Sequence, residues 1–469
     1  MYKNNTDILI IGLRLLFILF MIYTIVFIVQ WCIGIYVSIY KFSEYKTNSK
    51  RIKRILPNKM AKDIPVSVII PAYNEEACIV QTVKSLIEEE YPYMDIIIVN
   101  DGSSDNTEKY MVDHYHLKRS SVQIRENIKT NKINQIYENR YRGKQIFLIT
   151  KENGGKADAL NCGLNVCENK YCVILDADTK VCSGSIRNMC SYFMVDKKMI
   201  VCAGAVTNGM YGTKLYKSLN LFQKALVVFQ QLEYYRTFYM QRILFNEINA
   251  NVVVSGAFAM FDCDLVKAVG GYRTNTIGED MELTMRLHAF CRSQKRKYHI
   301  GYVPEVKCIT QVPFSYRDYY HQRRRWHIGM IQSLKEHKYM LGSIYYGGAG
   351  IISGSFILFY ELWAPFIEIM GVITLGISIY MNLVNIQNIL YVMLVYIIFA
   401  FVTQLIMINV ISAYEIEKIT FKNKVMIMFM ELIEIIFFHP FNIIIKLGAS
   451  FTVRKHRKTW KHINRMNET

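Results

Sequence analysis

Acidic side chains are in short supply in this 469-residue chain: 38 Asp and Glu stand against 56 Lys and Arg, a formal charge of +18. With 52% of the residues hydrophobic, that deficit points to contact with a membrane or a polyanion. Paired cysteines are also missing. The 11 cysteines include no CxxC pair, so no zinc module is signalled. Nearly all fall in a stretch expected to face the cytosol, and they read as reduced, buried thiols. There is no internal repeat and no low-complexity tract, which excludes a solenoid. No small-residue cleavage site follows the first apolar run, so that run is expected to be an anchor and not a removed signal peptide. The chain is too long for one ordinary domain.

Three stretches are long and apolar enough to cross a bilayer: Ile8–Tyr40, Ile351–Tyr380 and Ile389–Val410. Arg14 is expected near an interface, where its stem can snorkel. Lys41, Lys46, Lys50, Arg51, Lys53 and Arg54 follow the first run. Positive flanks stay inside, so the next domain is expected in the cytosol. A fourth apolar stretch, Val425–Ile445, carries Glu431, Glu434, His439 and Pro440. A full crossing there would put the basic tail Arg454–Arg465 outside, so the stretch is expected to be broken, re-entrant or interfacial. The link Tyr414–Lys424 is charged, and 212–246 is aromatic and amphipathic. It is expected to lie on the membrane surface, with an ordinary core helix as the close competitor.

Between the membrane stretches the pattern changes. Val66–Ile70, Asp95–Val99, Gln145–Ile149 and Val173–Leu175 are short β-branched runs, with helical spacing over Ala77–Glu90 between the first two. Ser104 or Asp105 is the expected cap of the next helix, and 116–144 a solvated basic insertion. Another strand is expected over Val252–Phe261. Strand and helix in alternation, with polar residues at each strand's carboxyl end, predict a doubly wound α/β domain that binds a nucleotide. The most informative strand end is Asp176-Ala177-Asp178. Its two carboxylates, without a Lys or Arg adjacent in sequence, suit a divalent cation. Taken alone, the pair is equally a solvated turn.

Six motifs in order resemble the family-2 glycosyltransferases, and among them the membrane-embedded processive synthases. They are Pro71-Ala72-Tyr73-Asn74-Glu75-Glu76, Asp101-Gly102-Ser103-Ser104-Asp105, Asn153-Gly154-Gly155-Lys156, Asp176-Ala177-Asp178, Gly278-Glu279-Asp280 and Gln322-Arg323-Arg324-Arg325-Trp326. The resemblance covers about Ile64 to Leu334 and implies a GT-A-like α/β domain inserted between transmembrane helices, with amphipathic interface helices. The expected organisation is an anchor over 1–40, a basic linker over 41–63, the transferase domain over 64–334, a membrane region over 345–447 and a basic tail over 448–469.

The resemblance also implies roles. Asp178 would hold Mg²⁺ or Mn²⁺, with Asp176 on the same metal or the ribose. Asn74, Glu75, Asp101 and Lys156 would bind the uridine and diphosphate, although helix capping accounts for Glu75 and a surface position for Lys156. Asp280 would be the general base, with Glu279 beside it; charge at a helix start is the plain alternative. Arg325 would clamp the diphosphate, Trp326 would stack on the acceptor sugar, and Gln322 would orient one of them. Arg323 and Arg324 are candidates for lipid headgroups.

The preferred expectation is a plasma-membrane, multi-pass enzyme that moves N-acetylglucosamine from a UDP-sugar to a β-linked polysaccharide and translocates the product. The bilayer and a small accessory membrane subunit are candidate partners; no nucleic acid is expected. Competing readings are a hyaluronan or other polysaccharide synthase, a non-processive transferase that glycosylates a lipid, and an inactive transporter or scaffold. The last predicts loss of a motif carboxylate, and all are present.

Overall fold

The computed structural model describes residues 2–55, 64–122, 124–210, 213–413 and 421–453. The chain enters as one helix, α1 (Tyr2–Ile55), which carries the apolar run and the start of its basic flank together. Among the described residues, ten strands then build a single sheet. They are β1 (Val66–Ala72), β2 (Met94–Asn100), β3 (Lys118–Arg119), β4 (Ile133–Tyr141), β5 (Lys144–Lys151), β6 (Tyr171–Leu175), β7 (Thr179–Val181), β8 (Met199–Asn208), β9 (Phe258–Asp262) and β10 (His299–Thr310). Their order in space is β3-β4-β5-β2-β1-β6-β9-β8-β10-β7.

The four central strands β5, β2, β1 and β6 run parallel. Every residue of β1 is buried, as a sheet covered on both faces requires. The covering helices include α2 (Ile79–Glu88), α3 (Thr107–Tyr115) and α4 (Lys156–Val166). On α2 the buried residues Ile79, Thr82, Val83 and Leu86 fall at helical spacing. The chain leaves β1 toward β2 on one side and returns beside β1 as β6 on the other, so strand order reverses between β1 and β6. A crevice opens at such a point beyond the strands' carboxyl ends, where Tyr73 and Asp176 lie.

Three local expectations need correction. The insertion 116–144 is not a loose excursion: β4 pairs antiparallel with β5 along its length and extends the sheet. The two-residue turn Arg142-Gly143, with φ of 49° and 83°, supplies the twist such hairpins need. The strand expected at Val252–Phe261 is confined to Phe258–Asp262, because the chain turns at Gly256-Ala257 beside the site. Neither Ser104 nor Asp105 is the cap of α3; Asn106 holds that position, while Asp105 Oδ1 accepts from Thr107 N at 3.0 Å.

Beyond β7 come α5 (Ser185–Val195), α6 (Lys214–Ser218) and α7 (Leu221–Arg236), then a π-helical turn Thr237–Gln241 and α8 (Arg242–Glu247). Helix α7 does meet the membrane part, but from inside the protein. Leu226 and Phe229 pack with Tyr319, Phe438 and Ile445, and Val228 and Leu232 pack with Ile408 and Ile427. Leu221 and Phe222 at its start are exposed. Next follow α9 (Cys263–Ala268), α10 (Glu279–Ser293) and α11 (Tyr316–Glu336).

The carboxy-terminal region holds α12 (Ala364–Tyr380), α13 (Ile386–Ala413), α14 (Phe421–Ile433) and α15 (His439–Thr452). Ile8–Lys41, Ile386–Ser412 and Lys424–Thr452 are long and apolar enough to cross a membrane. A fourth crossing counts if Ala349–Leu362 and Ala364–Tyr380, bent by 49°, form one. The stretch Val425–Ile445, expected to be broken, re-entrant or interfacial, is not broken, and it is Ile351–Tyr380, expected as one span, that bends, where Pro365 opens α12 and cannot continue the preceding hydrogen-bond ladder. The acids of the later span are matched across the fold: Arg236 on α7 reaches Glu431 at 3.0 Å and Glu434 at 2.5 Å. Both glutamates are buried, and a buried carboxylate needs such a partner. Residues 56–63, the link 414–420 and the basic tail beyond residue 453 lie outside the described residues.

Candidate active site

A cavity of about 1000 Å³ opens at the carboxyl ends of β1, β2, β5 and β6. Its floor begins with two buried loops. Asp101 follows β2 and is 3% exposed. Its carboxylate accepts from Lys151 Nζ at 2.7 Å, Gly154 N at 3.0 Å and Gly155 N at 2.7 Å. Lys151 also meets Asp158 at 2.5 Å. The glycines are required here. A Cβ on Gly154 would lie 2.4 Å from Asp158 Oδ2, and Gly155 has a φ of +88°. Asp101 thus holds the Gly154-Gly155 loop in shape, with its oxygens largely occupied.

Asn74 and Glu75 serve the same kind of purpose. Asn74 sits at φ +56°, donates its N–H to Ser103 Oγ and accepts from Ser104 N at 2.8 Å. Glu75 donates its N–H to Thr107 Oγ1. These bonds stitch the β1 and β2 loops together. Tyr73, next to them, is the residue of that motif on the cavity wall.

The second layer is more open. Lys156 opens α4 and sits 2.6 Å from Asp176 and 3.8 Å from Glu279. The Asp176–Asp178 pair therefore does have a cationic partner, brought by the fold from 20 residues away in sequence. Burial works against the Lys156 ammonium, but Asp176 and Glu279 beside it hold its pKa above the ordinary lysine value. Burial raises the carboxyl pKa of Asp176; Lys156 opposes that and Asp178 adds to it. Glu279 is raised in the same way, with Lys156 opposing and Asp280 adding. Two acid pairs facing each other across one lysine are a poor structural device. They are a good receptor for added positive charge or for a ligand that draws the lysine away. Asp178 is tied to its strand neighbours by Thr179 Oγ1 at 3.1 Å and Thr310 Oγ1 at 3.4 Å.

Glu279 and Asp280 reach this point because α10 starts against α11. A Cβ on Gly278 would lie 2.7 Å from the backbone of Gly329, so only glycine lets the two helices close up. On the other side, Gly256 passes near both charges: its Cβ would be 3.3 Å from Lys156 Nζ and 3.4 Å from Asp280 Oδ2. Helix α11 contributes Gln322, Arg325 and Trp326 to the same cavity. Arg325 is close enough to favour the charged forms of Asp176 and Glu279. Gln322 is 8% exposed, with Oε1 lacking a hydrogen-bond partner.

Arg323 and Arg324 both have partners within the protein. Arg323 is buried against Glu233, and Arg324 donates to Thr452 Oγ1 at 3.0 Å. Sequence reasoning missed Lys151 and Asp158 as a buried pair, and Glu233, Thr237, Gln241 and Arg242 as cavity residues. A charged residue closing the apolar run of β5 was the available sign of the first. The second group lies in an aromatic helix whose spacing does not show which face is wet.

Among the described residues no group of three or more His, Cys, Asp or Glu forms a metal cage. Asp176 and Asp178 offer hard oxygen donors from one short loop. That fits Mg²⁺ or Mn²⁺ bound through one or two carboxylates with the rest of its shell from phosphates and water.

The family models settle the class. One for "Glycosyl transferase family 2" matches residues 67–270, and one for "Glycosyl transferase family group 2" matches 171–405, half of the chain. The chain belongs to the family-2 glycosyltransferases. The transferase is 28% identical over 310 residues to the poly-beta-1,6-N-acetyl-D-glucosamine synthase of Staphylococcus epidermidis, covering 66% of this chain and 64% of that one. The corresponding synthase of Staphylococcus aureus strain COL is 28% identical over 312 residues with the same coverage. The match thus spans less than two thirds of those relatives' length. In fold, the transferase resembles the mannosyltransferase PcManGT from Pyrobaculum calidifontis, solved with GDP-Man and Mn²⁺. The TM-score is 0.52 at 16% identity, covering 91% of this chain and 99% of that one. The expected family and the GT-A-like α/β fold both hold.

Proposed function

We propose that this transferase moves N-acetylglucosamine from UDP-N-acetylglucosamine to the end of a β-linked polysaccharide, with inversion at the anomeric carbon. The observation that carries the reading is the meeting of Asp176 and Asp178, Lys156, Glu279 and Asp280, and Arg325 and Trp326 in one cavity. The sugar is taken from the synthases that are 28% identical to this chain over 310 to 312 residues.

Asp178 and Asp176 would hold a divalent cation of the kind present with PcManGT, which when bound neutralises charge on the leaving diphosphate. Lys156 and Arg325 supply donors for diphosphate oxygens, Lys156 exchanging Asp176 for phosphate as the donor enters. Asp280 takes the proton of the acceptor hydroxyl while its oxygen bonds to the sugar C1; the C1–O bond to the diphosphate breaks and UDP leaves with the electron pair. Trp326 gives the acceptor sugar a face to stack on. Asp101, Asn74 and Glu75 act mainly by shaping the uridine side.

The cavity continues past Phe245 and Val253 to Ser353, Phe356, Ile357 and Glu361, in the bent segment before α12. That continuity supports passage of the growing chain toward the membrane helices. The basic flank after Lys41 supports a cytosolic catalytic domain in a multi-pass plasma-membrane protein.

Membranes containing the protein, incubated with each labelled UDP-sugar and followed by product sizing and linkage analysis, test this. A long β-linked polymer made from UDP-N-acetylglucosamine is expected. Incorporation of one sugar into lipid, or a polymer that requires UDP-glucuronate, would replace this reading by the corresponding alternative.

A further inference from the structure

Beside the acceptor end of the cavity lies a half-buried ion pair with no assigned role. Glu233 on α7 meets Arg323 on α11, and their side chains are 33% and 11% exposed. The Arg323 guanidinium lies over two rings of its own helix, 4.5 Å from the centroid of Trp326 and 4.7 Å from that of Tyr319. Positions 319, 323 and 326 share one helical face, so the stack follows from spacing. Arg323 Nε and Nη2 are buried without a hydrogen-bond partner. The guanidinium is therefore held by one carboxylate and two aromatic faces. Glu233, Gln322 and Trp326 all line the cavity. Trp326 itself is 43% exposed, so its own packing constrains the ring incompletely.

We propose that Glu233 is a positioning residue for the acceptor: through Arg323 it fixes the Trp326 ring, leaving the ring's other face to the sugar at the end of the growing chain. This rests on the reading above that Trp326 stacks on the acceptor. A guanidinium over an indole is an orientation-dependent contact, and it is strong when desolvated. Losing the carboxylate leaves a buried cation that must turn toward water. Trp326 then loses the flat partner on its covered side. Tyr319 donates to Asn442 Oδ1 of α15 at 2.7 Å, so the far end of the stack is anchored in the membrane helices.

The experiment uses the full chain in nanodiscs with UDP-N-acetylglucosamine and a soluble N-acetylglucosamine oligosaccharide as primer. Glu233→Gln should raise the primer KM about 3- to 30-fold, as expected for loss of a desolvated cation–π contact. UDP binding and kcat at saturating primer should stay near the parent's, and Glu233→Asp should recover much of the loss. In a Trp326→Ala background, Glu233→Gln should add nothing, because the two act in series. Arg323→Lys, which keeps the charge and loses the flat face, should reproduce the KM effect if Glu233→Gln fails to fold. An unchanged primer KM in both variants would overturn the proposal, as would additive effects of Glu233→Gln and Trp326→Ala. Loss of UDP binding with the primer effect would show a general structural role instead. A parent protein that extends no primer with any UDP-sugar removes the underlying reading, and is seen before any variant is made.

Discussion

Two lysines, five residues apart in sequence, each sit between two carboxylates, and they do opposite things. Lys151 lies between Asp101 and Asp158 at 2.7 and 2.5 Å, with its side chain fully buried. Backbone N–H groups of Asn131, Gly154 and Gly155 complete those carboxylates. Lys156 lies between Asp176 at 2.6 Å and Glu279 at 3.8 Å, and all three side chains face the cavity. The first cluster is closed and satisfied, and it sets the shape of a loop. The second is open and short of donors, and it is ready to exchange partners when a charged ligand arrives. A buried pair is expensive to break when nothing can replace the lost partner, whereas a pair on a cavity wall can be re-solvated. The same residue types thus act as scaffold or as machinery according to how many fixed donors surround them.

The largest effect should come from the open side. Asp178→Asn, or an excess of chelator on the parent protein, should abolish sugar transfer. Full incorporation of label in excess EDTA would remove the metal role from the Asp176–Asp178 pair.

Somewhat smaller, Asp280→Asn should lower turnover by roughly 10²–10⁴-fold, the usual worth of a general base. UDP-sugar binding should persist in that variant. Loss of UDP binding in a folded Asp280→Asn protein would move Asp280 to the donor side.

The two lysines themselves give the direct test of the comparison. Lys151→Met strands two buried carboxylates and should cost roughly 3–5 kcal/mol of stability, read by thermal unfolding in nanodiscs. Lys156→Met should unfold at nearly the parent's temperature but weaken donor binding by about 10- to 100-fold, as removal of a charge-assisted hydrogen bond does. Equal stability losses in the two variants would erase the distinction.

The smallest effect is a pH dependence within one helix. Glu282 on α10 is buried with Arg286, His337 and Arg273 around it. Burial raises its carboxyl pKa, but His337 and Arg286 outweigh that and hold it below the usual Glu value. Its stabilisation is present above the ordinary Glu range and is lost as pH falls through the depressed value. Glu279, three residues earlier, is raised, so its contribution is favourable only at acid pH and fades as pH rises through the raised value. At neutral pH Glu282→Gln should therefore destabilise, by about 1–3 kcal/mol, and Glu279→Gln should stabilise slightly. Both differences from the parent should shrink on acidification toward pH 4. Shifts of the same sign in the two variants would contradict the contrast.

What could be read without the structure followed from short-range physics. Apolar β-branched runs ending in polar residues located β1, β2, β5 and β6, and the order of the six motifs placed the family. Long apolar runs located α1 and α13, because the bilayer's thickness sets a length that any sequence shows. Asp178, Asp280 and Trp326 were singled out by the motifs that resemble the family, and the fold brings all three to one cavity.

Partnership was not legible, because it depends on which strand ends the topology brings together. Spacing along the chain says nothing of Lys156 reaching both Asp176 and Glu279, or of Asp101 being absorbed by Lys151 and two glycine amides. Nor does it show Arg236 cancelling the acids of a later apolar helix. The hairpin β4–β5 and the bend before α12 were not foreseen because a weakly alternating strand and an apolar helix look alike to their alternatives until neighbours are present. Sequence alone determined the chemical inventory and its order, since residue type and local period are properties of the chain. The tertiary structure decided which charges are spent on holding the site and which are left to work in it, since that turns on distance and on access to water.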